Sequence, residues 1–361
     1  MMSYPTESQK GRFIAIFWAI FNLGAVVGAV IPVAQNWSSD KSNANDGTYI
    51  AFLVLMFSGA VLACCMAPSH KIVRKDGTKV RPPVHPSIWS EFKGLFITLK
   101  EEPMILFLFP MFFATNWFYE YQFNNFNASY FNLRTRSFNS LFYWLGQIVG
   151  SGCFGIMLDW STISRRARAL LGWVSLFILV NVIWGGAYAH VRHTCRTCDV
   201  PNENLGSNKG MDIFDKGYAG LLILYILFGV LDAMYQTFAY WTMSSMSIQP
   251  RRLAYFAGYY KGIQSAASAI TWSLDNHLVS YIALFGSSWG LSAGGLLIGL
   301  PVYLYRIQET EVSLEDYLTK KEVLESTGLG IMQSSFAEAD IETGDNFLRQ
   351  KSQEPDVTKQ Q

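Results

Sequence analysis

Residues 150–173, GSGCFGIMLDWSTISRRARALLGW, set one carboxylate and three guanidinium groups between two long apolar runs. Glycine-rich apolar sequence leads into Asp159, Arg165, Arg166 and Arg168 follow, and the chain turns apolar again at Ala169. Two antiparallel helices in hydrocarbon, joined by a short polar turn in water, account for this order. Lys and Arg collect in cytoplasmic loops, so the arginines hold the turn inside. Asp159 is then placed to cap the next helix or to pair with a nearby arginine. The plainer alternative is a basic inside loop with an incidental Asp.

Working outward, the same alternation recurs. Half of the 361 residues are hydrophobic and only 15 % are charged, against about 25 % in soluble domains. A hydrocarbon core of about 30 Å takes roughly 20 apolar residues in a helix. Such runs occur near 13–34, 49–67, 104–123, 138–158, 169–190, 217–243, 253–274 and 281–304. They predict an all-α, polytopic membrane helix bundle with about eight transmembrane helices, multi-pass in the lipid bilayer. The first run is too long for a signal peptide and lacks a small-residue cleavage site. A net charge of +1 gives no case for a nucleic-acid partner, and none is expected. Five cysteines are too scattered for a disulfide framework, and Cys64, Cys65 and Cys153 fall inside apolar runs as packing residues.

Basic residues orient the chain. The segment 68–103 carries Lys71, Arg74, Lys75, Lys79, Arg81, Lys93 and Lys100 and reads as cytoplasmic. Alternation puts 159–168 and 248–252 inside as well, with both termini. The outer loops are then 35–48, 124–137, 191–216 and 275–280, with Arg134, Arg136, Arg192 and Arg196 as exceptions to the charge rule. Two glycosylation sequons, at Asn36 and Asn127, fall in outer loops. SIWSEFKGLFITLK, 87–100, spaces Ile88, Phe92, Leu95, Phe96 and Leu99 on one face, as an amphipathic helix at the membrane surface does. The acidic tail from about 306 has no long apolar stretch and predicts disorder after a short helix at SLEDYLTKKEVLE.

Gly155, Asp159 and the arginines at 165, 166 and 168 resemble the cytoplasmic loop signature of the major facilitator superfamily, with Trp160 where that signature has Arg. Three longer stretches, YPTESQKGRFIAIFWAIFNLGAVVGAVI (4–31), NNFNASYFNLRTRSFNSLFYWLGQIVGS (124–151) and RRLAYFAGYYKGIQSAASAITWSLD (251–275), extend the likeness. They resemble the fungal uncoordinated-type (UNC-like) family of ion-channel regulatory proteins within that superfamily. The resemblance implies a partial major-facilitator-type fold that lacks the usual first four helices. Residues 1–67 would hold the last two helices of an incomplete N-terminal half and 68–103 the cytoplasmic central loop. A C-terminal six-helix bundle would follow at 104–305, then a cytoplasmic tail at 306–361.

Ionisable residues inside spans cost roughly 2.5–3.5 kcal/mol at mid-helix on insertion scales, which makes them functional candidates. Asp232, Lys261 and Glu120 lie in spans, Glu120 near an outer end as an interfacial acid. Gln264, Gln147 and Asn181 add hydrogen-bonding groups for a substrate path. A buried structural ion pair is the alternative for Asp232 and Lys261. Glycine pairs at 24/28, 146/150, 290/294 and 295/299 allow close helix packing. HVRHTCRTC, with His190, His193, Cys195 and Cys198, has metal-like spacing, but a Cys195–Cys198 disulfide or free thiols explain it more simply, and no metal site is assigned. No phosphate loop, nucleophile elbow or HExxH is present, so neither an enzyme nor a cofactor is expected. Two functions stay open: a carrier moving a small solute or ion by alternating access, and a non-transporting regulatory subunit bound to a membrane-protein partner or an inactive fragment.

Overall fold

The computed structural model describes residues 10–37, 46–65, 88–192, 210–247 and 249–307. These are helical almost throughout: α1 Lys10–Asn36, α2 Asp46–Cys64, α3 Ile88–Glu101, α4 Phe109–Glu120, α5 Leu133–Leu158, α6 Arg165–Val191, α7 Tyr218–Met246, α8 Pro250–Asn276 and α9 Tyr281–Pro301. The described residues form no strand beyond one backbone bridge between Phe131 and Met211. The described residues of each of the eight expected spans fall almost wholly on helix. Six of these helices are long and apolar enough to cross a membrane by themselves. The remaining two are the stretch around α4 and the polar-faced α8. Prolines explain the first. Pro103 opens a 3-10 turn, Pro103–Leu108, Pro110 lies in the first turn of α4, and the helix widens to π geometry over Tyr121–Ala128. The chain is an integral, multi-pass membrane protein with an all-α bundle fold.

Caps follow local sequence. Asn132 accepts the Thr135 N–H at 2.9 Å at the start of α5, and Ser164 accepts the Ala167 N–H at 3.2 Å at the start of α6. Gly217, at φ +90°, makes the left-handed turn into α7. Pro250 starts α8, where its missing N–H has no cost.

The core lies where α5, α7 and α4 meet α1, α8, α9 and α6. It is aromatic: Trp184, Tyr121, Phe228 and Phe285 cluster, and Phe126 stacks on Tyr225 with centroids 5.5 Å apart and planes 3° from parallel. Backbones come close where glycines permit. An added Cβ at Gly229 would lie 2.3 Å from the Tyr143 carbonyl oxygen, one at Gly150 2.7 Å from that of Val230, and one at Gly146 2.9 Å from that of Ile226. Of the four glycine pairs in the sequence, 146/150 packs at both positions and 295/299 tightly only at Gly295, against the Met111 backbone. Gly24, Gly290 and Gly294 face open space. Cys64, Cys65 and Cys153 are exposed, on outward faces and not in the core, because their apolar runs turn those faces to lipid. In α2, Leu53, Met56, Phe57 and Leu62 likewise point outward.

The outer loop expected at 124–137 is mostly helix, since the π segment runs to Ala128 and α5 starts at Leu133. Asn127 is buried. Its amide donates to the Arg136 carbonyl at 3.1 Å and to Ser140 Oγ at 3.2 Å, and its carbonyl takes the Asn139 amide at 3.0 Å. The folded protein therefore has no room for a glycan at this sequon. Arg134, an exception to the charge rule, pairs with Asp212 at 2.5 Å, with its guanidinium over the Trp37 and Phe214 rings. Burial raises the Asp212 carboxyl, but bonds from Arg134, Asn132 and the Phe214 N–H outweigh it and hold the group below the usual carboxylate range. α3 is an amphipathic helix, although Leu95 and Leu99 turn partly inward while Ile88, Trp89, Phe92, Phe96 and Ile97 face out. The side chain of Asn36, most of 68–103, the tail helix at 313–325 and His193, Cys195 and Cys198 lie outside the described residues. His190 packs edge-on to Tyr130, with centroids 4.6 Å apart.

Candidate functional site

Asp232 lies fully buried in α7. Its Oδ2 accepts the Gln147 amide at 2.6 Å and the Tyr143 hydroxyl at 3.0 Å, both from α5. Its Oδ1 accepts the Gln236 amide at 2.7 Å, one turn further along α7. Tyr119 of α4 takes a bond from Gln236 Nε2 at 2.8 Å. From this centre the network runs two ways. Tyr143 lies 2.8 Å from Gln122 Oε1. In the other direction Gln236 Oε1 accepts Tyr260 at 3.1 Å and Gln264 at 3.2 Å, both from α8. Gln264 Nε2 also reaches Thr115 Oγ1 at 2.9 Å, and its Oε1 accepts the Lys261 ammonium at 2.7 Å.

Polar groups from α4 and its π extension, α5, α7 and α8 thus form one network around a carboxylate that no cation contacts among the described residues. Asp232 and Lys261 form no ion pair; Gln236 and Gln264 stand between them. Such a charge is kept by its hydrogen bonds, because burial without them is prohibitive. The network has capacity to spare. Gln147 Oε1 is buried without a partner among the described residues, as are Trp18 Nε1 and both polar atoms of Asn22 on α1. Helix register puts these near one another. Gly11 meets Gly155 where α1 crosses α5, and eleven residues up α1 brings Asn22 to about the level between Gln147 and Tyr143 at 1.5 Å per residue.

Four of the six candidates from sequence, Asp232, Gln147, Gln264 and Lys261, belong to this network. Glu120 does not: it is wholly buried, with the Asn125 amide 3.3 Å from Oε2. Asn181 joins α6 to α9 by accepting the Trp289 indole N–H at 3.1 Å. Sequence reasoning missed Tyr119, Gln122, Tyr143, Gln236 and Tyr260. Only Gln236 carried a signal, its i+4 spacing from Asp232.

The loop signature has its own geometry. Asp159 does not cap the next helix, a task that Ser164 performs. Its Oδ1 and Oδ2 accept the Gly11 N–H at 2.7 Å and the Arg12 N–H at 2.6 Å, so it caps α1, far away in sequence. Lys10 Nζ donates to the Ser244 carbonyl in the last turn of α7. Arg168 donates to the Leu158 carbonyl at 2.9 Å and closes α5. Arg165 is buried and Arg166 exposed. Cβ atoms at Gly11 and Gly155 would each lie within 2.8 Å of the opposing carbonyl oxygen, so only glycine lets the first turn of α1 settle onto Asp159. Burial pushes the Asp159 carboxyl above its ordinary range, and the Arg12 and Gly11 N–H groups with the nearby arginine charges offset part of that.

No family model matches the sequence, and no solved structure matches the chain. The chain is 43 % identical over 316 residues to an UNC93-like protein of Schizosaccharomyces pombe, covering 88 % of this chain and 62 % of that protein. It is 37 % identical over 309 residues to UNC93-like protein 1 of Arabidopsis thaliana, covering 84 % and 66 %. An uncharacterized membrane protein of Schizosaccharomyces pombe is 30 % identical over 282 residues, covering 78 % and 56 %. The chain therefore spans somewhat less than two thirds of the length of each of these relatives. With helices of membrane-crossing length and two UNC93-like relatives at this identity, the chain belongs to the UNC93-like family of membrane proteins.

Proposed function

We propose that the protein is a carrier-like membrane protein that moves a small solute or ion by alternating access, with Asp232 at the centre of its path. One observation carries this: a polar network drawn from four helical segments centres on one buried carboxylate, which takes its donors from α5 and α7 and meets no cation among the described residues. A purely structural role would be met at lower cost by apolar packing, since buried charges seldom repay their desolvation. The six helical stretches from residue 103 onward serve in this proposal as one half of a major-facilitator-type bundle.

The test is uptake into liposomes holding the full chain, run over a panel of small cations and carboxylates. Asp232→Asn keeps the shape and removes the charge. It is expected to lower the initial rate of the transported species about tenfold or more, a loss of roughly 1.4 kcal/mol in the limiting step, with the protein still accumulating. Equal rates for both proteins, or no uptake of any species, would overturn transport and favour the regulatory-subunit alternative.

The proposed orientation has both termini in the cytoplasm. With the native cysteines replaced, single cysteines at positions 40 and 205 are expected to react with an impermeant reagent from outside, and those at 75 and the exposed 166 only after permeabilisation. Labelling of position 75 on intact cells would reverse the topology.

A further inference from the structure

Asn22 stands near the middle of α1, twelve residues past Lys10 in a 27-residue helix, about 18 Å along at 1.5 Å per residue. Its neighbours Phe21 and Leu23 are exposed, whereas Asn22 is wholly buried. An Asn amide carries two N–H donors and a carbonyl oxygen. Here neither its nitrogen nor its oxygen has a partner among the described residues, a costly state for a buried amide. Contacts at both ends of α1 show what faces it. α1 runs antiparallel to α5, with Gly11 against Gly155 at one end and the Trp37 carbonyl on Arg134 at the other. Counting inward from these two contacts, Asn22 falls opposite residues 144–149 of α5. α1 is antiparallel to α7 as well, with Lys10 on the Ser244 carbonyl and Trp18 6.4 Å from the Tyr240 ring. The same count puts Asn22 opposite residues 232–236 of α7. At about 3.6 residues per turn, Asn22 also shares the face of α1 on which Gly11 meets Gly155. Gln147 lies on α5 between that meeting face and the face whose Gly146 and Gly150 meet α7. Within 144–149, Gln147 Oε1 is the buried acceptor without a donor among the described residues. Trp18, whose indole N–H is also unclaimed, lies one turn nearer the end of α5.

We infer that Asn22 is a positioning residue for Asp232: its amide N–H donates to Gln147 Oε1 and holds the Gln147 amide with its own N–H on the carboxylate. Gln147 Nε2 reaches Asp232 Oδ2 at 2.6 Å, which turns Oε1 away from Asp232. Turned over, the same amide would set its oxygen against the carboxylate, so a donor at Oε1 selects the favourable orientation. The link ties Asp232 to α1. When α1 draws away from α5, the Gln147 amide is released, and the hold on Asp232 follows the position of α1. The use of this in transport rests on the carrier reading above, but the positioning is measured apart from it.

Two measurements on the purified full chain test the contact and its effect. In a chain with the native cysteines replaced and a protease site set between residues 68 and 87, Asn22→Cys with Gln147→Cys is expected to crosslink under a short bifunctional thiosulfonate. The cleaved fragments then stay joined on a denaturing gel. Leu23→Cys with Gln147→Cys, on the exposed side of α1, is expected to fall apart. Infrared spectra of protein made with carbon-13 aspartate, each taken as a difference from the matching Asp232→Asn protein, isolate the Asp232 carboxylate. Its band is expected to shift in Asn22→Leu in the same direction as in Gln147→Leu, and to return toward the wild-type position in Asn22→Gln, which restores an amide. A residue that only fills space would leave the band in place. If Asn22→Leu is not monodisperse, Asn22→Ala replaces it, and if neither is, the crosslink decides. No crosslink between 22 and 147, equal crosslinking of the two pairs, or an unshifted band in Asn22→Leu would overturn the inference. A shifted band without uptake of any species would leave the positioning standing and overturn transport. An unshifted band with uptake that Asp232→Asn slows would do the reverse.

Discussion

Gly229→Leu is expected to abolish accumulation of the folded protein, while Gly290→Leu leaves it near wild-type level. At Gly229 even a Cβ would sit 2.3 Å from the Tyr143 carbonyl oxygen, which belongs to the backbone of α5 and cannot swing aside. Gly290 has no heavy atom within 4 Å of its built Cβ, so leucine enters open space there. Overpacking a core with extra methylenes costs about 1–3 kcal/mol when side chains can give way, and here α5 and α7 must part. Their separation also breaks the Tyr143 and Gln147 bonds to Asp232 and exposes buried donors. With a total stability of about 5–15 kcal/mol, these losses together remove most of the margin. Gly229→Ala is the graded case and should show a lower melting temperature with reduced yield. Fluorescence-detected size exclusion reads both; a monodisperse Gly229→Leu peak of wild-type height would refute the packing.

Asp159→Ala is expected to lower the melting temperature by about 4 °C or more, and Ser161→Ala not measurably. Two N–H groups at the start of α1 end on Asp159, at 2.7 and 2.6 Å. Losing a cap costs about 0.5–2 kcal/mol, and hydrogen bonds to a charged acceptor lie near the top of that range. About 2 kcal/mol corresponds to a few degrees in a chain of this size. The loss reaches beyond one helix end, because α1 is held at its first turn by Asp159 and by the Lys10 bond to Ser244. Gly155→Ala should reproduce the effect with the carboxylate intact, by pushing the Gly11 carbonyl away. A thermal scan in detergent that finds Asp159→Ala and Ser161→Ala alike would remove Asp159 from the clamp.

The spans were legible because hydrocarbon imposes a length and an apolar run on any crossing helix, and those requirements are local in sequence. The α4 region departed from a plain helix because Pro103 and Pro110 break the ladder, and no apolar count registers that. Asp159 was legible as a capping residue but not as the cap of α1, since the partner lies 148 residues away and only the fold joins them. Glycines make the same point. Gly146/Gly150 and Gly290/Gly294 share one spacing, yet the first pair meets the α7 backbone and the second meets nothing. In lipid, inward and outward faces are both apolar, so a pattern that separates core from water cannot separate core from bilayer. Asp232 stood out by its charge. Tyr119, Tyr143 and Tyr260 did not, because a tyrosine in a span reads as an apolar ring until its hydroxyl is located.

Counting hydrogens along the network brings out a property that its distances alone do not. The Tyr143 hydroxyl has one hydrogen but lies 2.8 Å from Gln122 Oε1 and 3.0 Å from Asp232 Oδ2, so it serves one of them at a time. Turning the Gln122 amide over makes Gln122 the donor and sends the Tyr143 hydrogen to Asp232. The two arrangements differ in the direction of the dipoles and in nothing that packing can sense. A charge arriving near Asp232 is therefore answered by rotating a hydroxyl and an amide, while the helices stay where their glycines lock them. The bundle can hold its shape and still alter the electric field around Asp232.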